Sequence, residues 1–341
     1  MIFNFDIVIK KRNYFFVIIV ISFLFSNCKK KNECISHPDV SSISVKIKID
    51  RLEQQLFQLQ TKEEIKNFLS AHPSFAHDIL ETHRYPSEEV AIDQLQHLIQ
   101  DPYMDTLYQD TKRVFGDLSQ LKKELEQAFR LIKYYYPSFR EPVVQTMVTG
   151  FATDLYINDS ILFIGLDYFI GPTAHYRPEG KANYILKRYQ SDYIVSNSIL
   201  LLSRRYNTFD ELDQTLLASM IYWGKAYYFT KQILPCIPDS LIIGYSNEEI
   251  QRAQGGETQI WQYIIEKKIL FQNNPILQIK YIEDRPYTAE IGSKCPGRIG
   301  QWIGWQITNS YVKRNSISLP NLMKNLNSQE IFEKSDYHPT K

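Results

Sequence analysis

Hydrophobic residues recur at helical spacing over most of this chain, and strand patterning is confined to a short stretch near its middle. Leu118, Leu121 and Leu125 begin an apolar helix face that continues until Pro137. Residues 143–148, 152–157 and 161–166 have the composition of strands, and the Asn158-Asp159 pair between the last two indicates a β-hairpin. This order predicts a single α+β domain that is mainly helical, with a small central sheet.

The second half of the chain contains the longest predicted helix, at residues 209–234. Thr208 and Glu211 have the spacing of a capping box, in which the hydroxyl and the carboxylate satisfy free amides of the first turn. Ser246 repeats this pattern with a glutamate three residues later. A last helix is predicted at residues 297–312, where glycines let another backbone or ring approach closely.

The N-terminus has the pattern of an export signal. A basic group at residues 10–12 precedes an apolar run at residues 14–25. As a helix this run covers about 18 Å, well short of the roughly 30 Å hydrocarbon core of a bilayer. It therefore indicates the apolar region of a signal peptide rather than a permanent membrane helix. Together with the small residue Ser26, Cys28 resembles the lipidated cysteine of bacterial lipoproteins.

These features predict a signal peptide at residues 1–27, a polar tether at 28–44 and one domain at 45–341. A diacylglyceryl group with an N-acyl chain such as palmitate on Cys28 would anchor stably, because a single acyl chain binds a membrane only marginally. The basic residues 29–31 favour a periplasm-facing position in the cell envelope, on either the inner or the outer membrane. The alternative is a plain signal anchor in which Cys28 is incidental.

Composition excludes one class of partner. The chain carries 39 basic and 38 acidic side chains, so it lacks the basic surplus that nucleic-acid binding requires. Its 23 tyrosines and 19 phenylalanines fit an interaction surface or, more simply, a large aromatic core. In an oxidising compartment the predicted disulfide of the body joins Cys236 and Cys295, although pairings with Cys34 stay open.

Common catalytic signatures are missing from the sequence. It has no G-x-S-x-G elbow, P-loop or G-x-G-x-x-G motif, so we predict no cofactor. A hairpin followed by a long helix is the frame of zinc peptidases, which place H-E-x-x-H on that helix. Here the long helix contains no histidine, and Lys225 would repel a cation. His77 and Glu81 could form a weak metal pair, but a surface pair is the simpler interpretation.

Several polar and aromatic clusters remain as candidates for a groove that binds a peptide or a partner protein. They comprise Asp167, Tyr168, Tyr184, Arg188, Lys225, Tyr228, Trp302 and Trp305. The alternative is that these side chains stabilise the core, with Asp167 in an ion pair with Arg188 or Lys225. Aromatic rings at helical spacing usually pack inward, which favours the core for any single residue.

Several motifs resemble the gliding-motility lipoprotein GldB family over nearly the whole chain. Besides the lipoprotein start, they lie at residues 163–172, 220–225, 234–235, 243–245 and 296–306, with Trp261 and Tyr311. The segment 296–306, which reads PGRIGQWIGWQ, is the most specific of them.

The resemblance implies a lipid-anchored envelope protein that gliding motility requires, beside other proteins of the gliding and type IX secretion machinery. It also implies a degenerate relative of zincin-type peptidases without the metal motif, and it supplies no catalytic residue. The favoured hypothesis is a non-catalytic binding or assembly component. The alternatives are a metal-dependent hydrolase with an unrecognised site and an accessory lipoprotein of type IX secretion.

Overall fold

The structure is a computed structural model, and it describes residues 34–339. Within that range it contains fifteen α-helices and one four-stranded sheet, which confirms the α+β class. No helix in this range is both long and apolar enough to cross a bilayer. The predicted signal peptide and Cys28 lie outside the described residues.

Helices account for most of the described chain, both before and after the central strands in the sequence. The helices that precede β2 are α1 (Leu52–Leu56), α2 (Lys62–Ala71), α3 (Glu88–Gln100), α4 (Pro102–Phe115) and α5 (Ser119–Tyr135). Those that follow the hairpin are α6 (Asn183–Leu186), α7 (Ile194–Ser203), α8 (Leu216–Ile233), α9 (Asp239–Ile243), α10 (Asn247–Gly255), α11 (Glu257–Glu266), α12 (Pro275–Tyr281), α13 (Ile299–Asn315), α14 (Leu319–Lys324) and α15 (Ser328–Ser335).

The sheet has the order β1-β2-β4-β3. Its strands are β1 (Ile49–Arg51), β2 (Val143–Met147), β3 (Leu155–Ile157) and β4 (Ile161–Gly165). β2 runs parallel to β1 and β4, and the antiparallel pair β3–β4 is the predicted hairpin. The segment before β1 is bound to a helix instead of a strand, because the amide of Ile47 donates to Glu126 and the carbonyl oxygen of Val45 accepts from Arg130. Both partners lie on α5.

Alternate residues of β4 contribute to two separate cores, since successive side chains of a strand point to opposite faces. Ile161 and Phe163 pack with residues of α1, α2 and α3. Leu162 and Ile164 pack with residues of α5, α7 and the C-terminal half of α8. The sheet is therefore covered by helices on both faces.

A third core surrounds the pair of helices α8 and α13, and Trp302 and Trp305 are buried in it. Gly224 and Gly304 lie where the two helices meet. A β-carbon on Gly224 would overlap the carbonyl oxygen of Gly304, and one on Gly304 would overlap that of Met220. The close approach predicted for the glycines of the last helix is thus confirmed.

Helix α8 begins at Leu216, so the earlier start predicted from the Thr208 capping box is wrong. Thr215 caps the helix, because its hydroxyl accepts a hydrogen bond from the amide of Ala218 at 3.2 Å. The hydroxyl of Thr208 instead donates to the carbonyl oxygen of Met323 at 2.9 Å. The residues between Thr208 and Thr215 consequently form a loop.

The predicted pairing of Cys236 with Cys295 is also wrong. Cys295 is a free, buried cysteine, whereas Cys34 and Cys236 are disulfide-bonded. Cys295 lies in the third core, where its carbonyl oxygen accepts from the amide of Thr288 and its own amide donates to Gly292. These main-chain bonds hold its thiol inside the core.

Candidate binding site

A cavity of about 620 Å³ lies beside the N-terminal half of α8. Its walls come from the loop at residues 208–214, the start of α12 and residues 325–328. Ile221, Tyr222 and Trp223 make its lining mainly apolar. We call it the apolar cavity. Concave cavities of this size with a mostly apolar surface are typical of binding sites, and here polar and charged side chains also contribute to the lining.

Lys225 is the one lysine or arginine among the described residues that line the apolar cavity. Its Nζ donates to the carbonyl oxygens of Thr208 and Asn325, at 2.7 Å each, and of Met323 at 3.4 Å. Burial lowers the pKa of Lys225 to about 8. Because its protons are directed at main-chain oxygens, the amine holds the 208–214 loop against residues 323–325 instead of pointing a free nucleophile into the cavity.

Large apolar side chains are exposed at the edge of this cavity. Phe209 and Leu326 line the cavity and are each 53% exposed, and Leu212, in the same loop as Phe209, is 92% exposed. The ring of Phe209 packs edge-on against Tyr222, with ring centroids 5.3 Å apart. Isolated exposed apolar residues are ordinary, but a group of them around a cavity is characteristic of an interaction surface.

The same loop carries three carboxylates, Asp210, Glu211 and Asp213. None of them forms an ion pair with a cation in the described part of the chain. Asp213 accepts hydrogen bonds from the hydroxyls of Thr215 and Ser328, at 2.7 and 2.6 Å, and these bonds lower its pKa against the opposing effect of burial. The edge of the apolar cavity is therefore negatively charged.

A second cavity, of about 460 Å³, shares Tyr222 and Trp223 with the first. It lies between β3, α7 and α8, and its lining includes Lys181, Arg188 and Arg204. We call it the polar cavity. The two cavities use neighbouring faces of one helix and carry charges of opposite sign.

Asp284 organises the wall of the polar cavity. Its carboxylate binds Arg188 at 2.8 Å and Arg298 at 3.1 Å, and its carbonyl oxygen accepts from the hydroxyl of Tyr184 at 3.3 Å. The guanidinium of Arg298 also lies over the ring of Tyr245, 5.3 Å from its centroid. Tyr184 and Arg188, two of the predicted groove residues, are thus brought together through Asp284.

Asp167 and Tyr168 lie elsewhere, at a smaller cavity of about 200 Å³. The carboxylate of Asp167 accepts from the amides of Thr149 and Phe151, at 3.1 and 2.7 Å. Burial outweighs these hydrogen bonds and raises the pKa of Asp167 to about 6. Neither of the ion pairs considered for Asp167 forms, because Arg188 binds Asp284 and Lys225 binds main-chain oxygens.

The remaining predicted residues are part of the packing. Trp302 and Trp305 are each 2% exposed in the third core, and Tyr228 packs partly buried against two cores. Sequence reasoning missed the 208–214 loop, together with Tyr222 and Trp223. The mixture of apolar and acidic residues at 209–213 was the available signal, but these residues were assigned to a helix.

The described residues contain no group of three or more His, Cys, Asp or Glu side chains that could hold a metal ion. His77 binds Asp78 at 2.7 Å and stacks on His83, whereas Glu81 pairs with Arg84 at 2.7 Å. The candidate metal pair of His77 and Glu81 is therefore divided between two other partners.

Comparison with known proteins gives one family. The family model described as gliding motility protein GldB matches residues 33–339. No curated protein and no solved structure matches the chain.

Proposed function

Because the chain belongs to the GldB family of gliding motility proteins, we propose that it is a lipid-anchored, non-catalytic component of the gliding machinery that binds a partner protein. The apolar cavity is the proposed binding site. Lipid on Cys28 would keep the protein at a membrane of the cell envelope, where other gliding and secretion proteins are located.

The observation that carries this proposal is a cavity that has an exposed apolar edge and is lined on one side by a closely packed helix. Tyr222 and Trp223 project from α8, whose backbone packs against α13 through Gly224. A preformed apolar surface supports association, because little conformational entropy is lost when a partner binds to it. Lys225 contributes by fixing the loop, and this role requires no chemical step.

A cavity-filling substitution tests the site in living cells. Ala218 lines the apolar cavity, and Ala218→Trp would fill part of it. We expect a deletion strain that carries this variant to spread poorly on agar, although the variant is present at the membrane at normal level. Ala289→Trp is the matched control, since Ala289 is exposed and lines neither cavity.

The anchor is tested separately with Cys28→Ala and a palmitate analogue. We expect the label on the unchanged protein and none on the variant, and equal label on both would exclude Cys28 as the lipidated residue.

Normal spreading of the deletion strain, or of cells with Ala218→Trp at normal level, would overturn the proposed role of the cavity in motility.

A further inference from the structure

We infer that the apolar cavity binds one large apolar side chain of a partner polypeptide segment that carries Lys or Arg beside it. This inference rests on the proposed function and adds the chemistry of the partner. It follows from the apolar lining of the cavity, the exposed side chains at its edge and the charge of the 208–214 loop.

The apolar part of the argument concerns surface that the isolated chain leaves in water. Phe209 and Leu326 both line the cavity and are each 53% exposed. Covering such surface with an apolar group is favourable by about 25 cal/mol for each Å² removed from water. A cavity of about 620 Å³ is large enough to take an aromatic side chain.

The charge at the edge of the cavity determines which residues of the partner can flank that apolar side chain. Asp210 and Glu211 line the cavity and are exposed, and Asp213 adds a third negative charge. Lys225 offsets only one of these three charges and pairs with none of them, because its Nζ donates to the carbonyl oxygens of Thr208, Met323 and Asn325. A segment with flanking Lys or Arg gains attraction at this edge, whereas an acidic segment is repelled.

The same charges disfavour a fatty acid or an anionic lipid as the occupant. Its acyl chain would fit the lining, but its headgroup would meet the carboxylates of Asp210 and Glu211. The one cation of the lining, Lys225, already has main-chain acceptors for its protons. A cationic polypeptide segment therefore satisfies both the apolar and the electrostatic features of the cavity.

Fluorescent pentapeptides with the full-length lipoprotein in detergent provide the test. The probes are Lys-Lys-Trp-Lys-Lys, the same peptide with alanine in place of tryptophan, and Glu-Glu-Trp-Glu-Glu. We expect saturable binding, measured by fluorescence anisotropy, only for the first, with an affinity that falls as salt increases. Ala218→Trp should abolish this binding.

The double variant Asp210→Asn/Glu211→Gln should weaken binding of the lysine–tryptophan peptide by about five- to tenfold. The matched control is Asp159→Asn/Glu179→Gln, which removes the same charge from exposed residues outside both cavities and should bind normally. Equal binding of the acidic peptide, unchanged binding by the Asp210/Glu211 variant, or full competition by oleate would overturn the inference.

The two proposals fail in different ways. If Ala218→Trp abolishes spreading but the lysine–tryptophan peptide does not bind, the cavity functions in motility and the inferred partner chemistry is wrong. If Ala218→Trp leaves spreading normal, the proposed function of the cavity is wrong, regardless of whether the peptide binds.

Discussion

Gly224 and Gly304 face each other where α8 and α13 cross, and neither position has room for a β-carbon. Backbone therefore lies against backbone at this crossing. The contact fixes the helix that carries Tyr222 and Trp223, the two residues common to both cavities.

Gly304→Ala should destabilise the protein by about 1–3 kcal/mol or more, because the added methyl group overlaps the carbonyl oxygen of Met220 and forces the helices apart. The free energy of unfolding in urea measures the effect. Gly255→Ala is the control, since no atom lies within 4 Å of a β-carbon there. Its expected effect is small, and equal losses for both variants would contradict the packing argument.

Lys225→Met should loosen the 208–214 loop, since the carbonyl oxygens of Thr208, Met323 and Asn325 lose their charged donor. Hydrogen bonds to charged groups contribute about 1.5–3 kcal/mol, so we expect the amide of Thr208 to exchange its hydrogen at least about tenfold faster. Lys267→Met is the control because Lys267 is exposed. Unchanged exchange at Thr208 would show that Lys225 does not hold the loop.

The pH dependence of stability offers a second test of Lys225. Burial lowers its pKa to about 8, below the ordinary value of 10.5, so the folded protein releases the proton first. Above pH 8 the unfolded chain binds more protons, and the free energy of unfolding rises with pH. We expect the Lys225 contribution to add about 2 kcal/mol between pH 8 and 9.5. The difference between the wild type and Lys225→Met isolates it, and a constant difference would refute the shift.

Titration of Asp167 should also make the free energy of unfolding depend on pH, in the acidic range and with the opposite sign. Burial raises its pKa to about 6 from 3.8, so between these values the folded protein binds more protons and its stability falls as pH increases. Asp167→Asn removes this titration. Relative to the wild type, the variant should therefore gain about 2 kcal/mol between pH 4 and 7. Asp159→Asn, at an exposed site, should show no such relative gain.

Cys295 should resist alkylation in the native protein, because it is buried and burial raises the pKa of its thiol to about 12. Only the thiolate reacts readily with iodoacetamide. Mass spectrometry of the peptide that contains Cys295 should show label after unfolding without reductant and none before. A disulfide at Cys295 would leave this peptide unlabelled in both conditions.

The parts of the fold that sequence periodicity predicted are those in which local patterning and burial agree. The apolar face from Leu118 to Leu125 predicts α5, and the turn at Asn158 predicts the β3–β4 hairpin. The capping box at Ser246 is present as expected, with both reciprocal hydrogen bonds. In each case the partners lie within a few residues along the chain.

The binding site could not be predicted in the same way, because its partners are distant in sequence. Thr208 resembles a helix cap, but its hydroxyl binds the carbonyl oxygen of Met323, 115 residues away. The acceptors of Lys225 are main-chain oxygens, which every residue possesses and no motif reveals. The loop was therefore interpreted as helix, and its acidic and apolar side chains were not recognised as one surface.

The hydrogen bond from the amide of Ile35 to the carbonyl oxygen of Pro235, 3.1 Å long, places the start of the body beside the C-terminal end of α8. From there Tyr222 lies about 17 Å back along the helix axis. Cys28 precedes Ile35 by a length of chain that can extend about 25 Å at most. A lipid on Cys28 would thus keep the apolar cavity within about 40 Å of the bilayer. Only partners that enter this thin layer could then bind, and their effective concentration at the cavity would be raised.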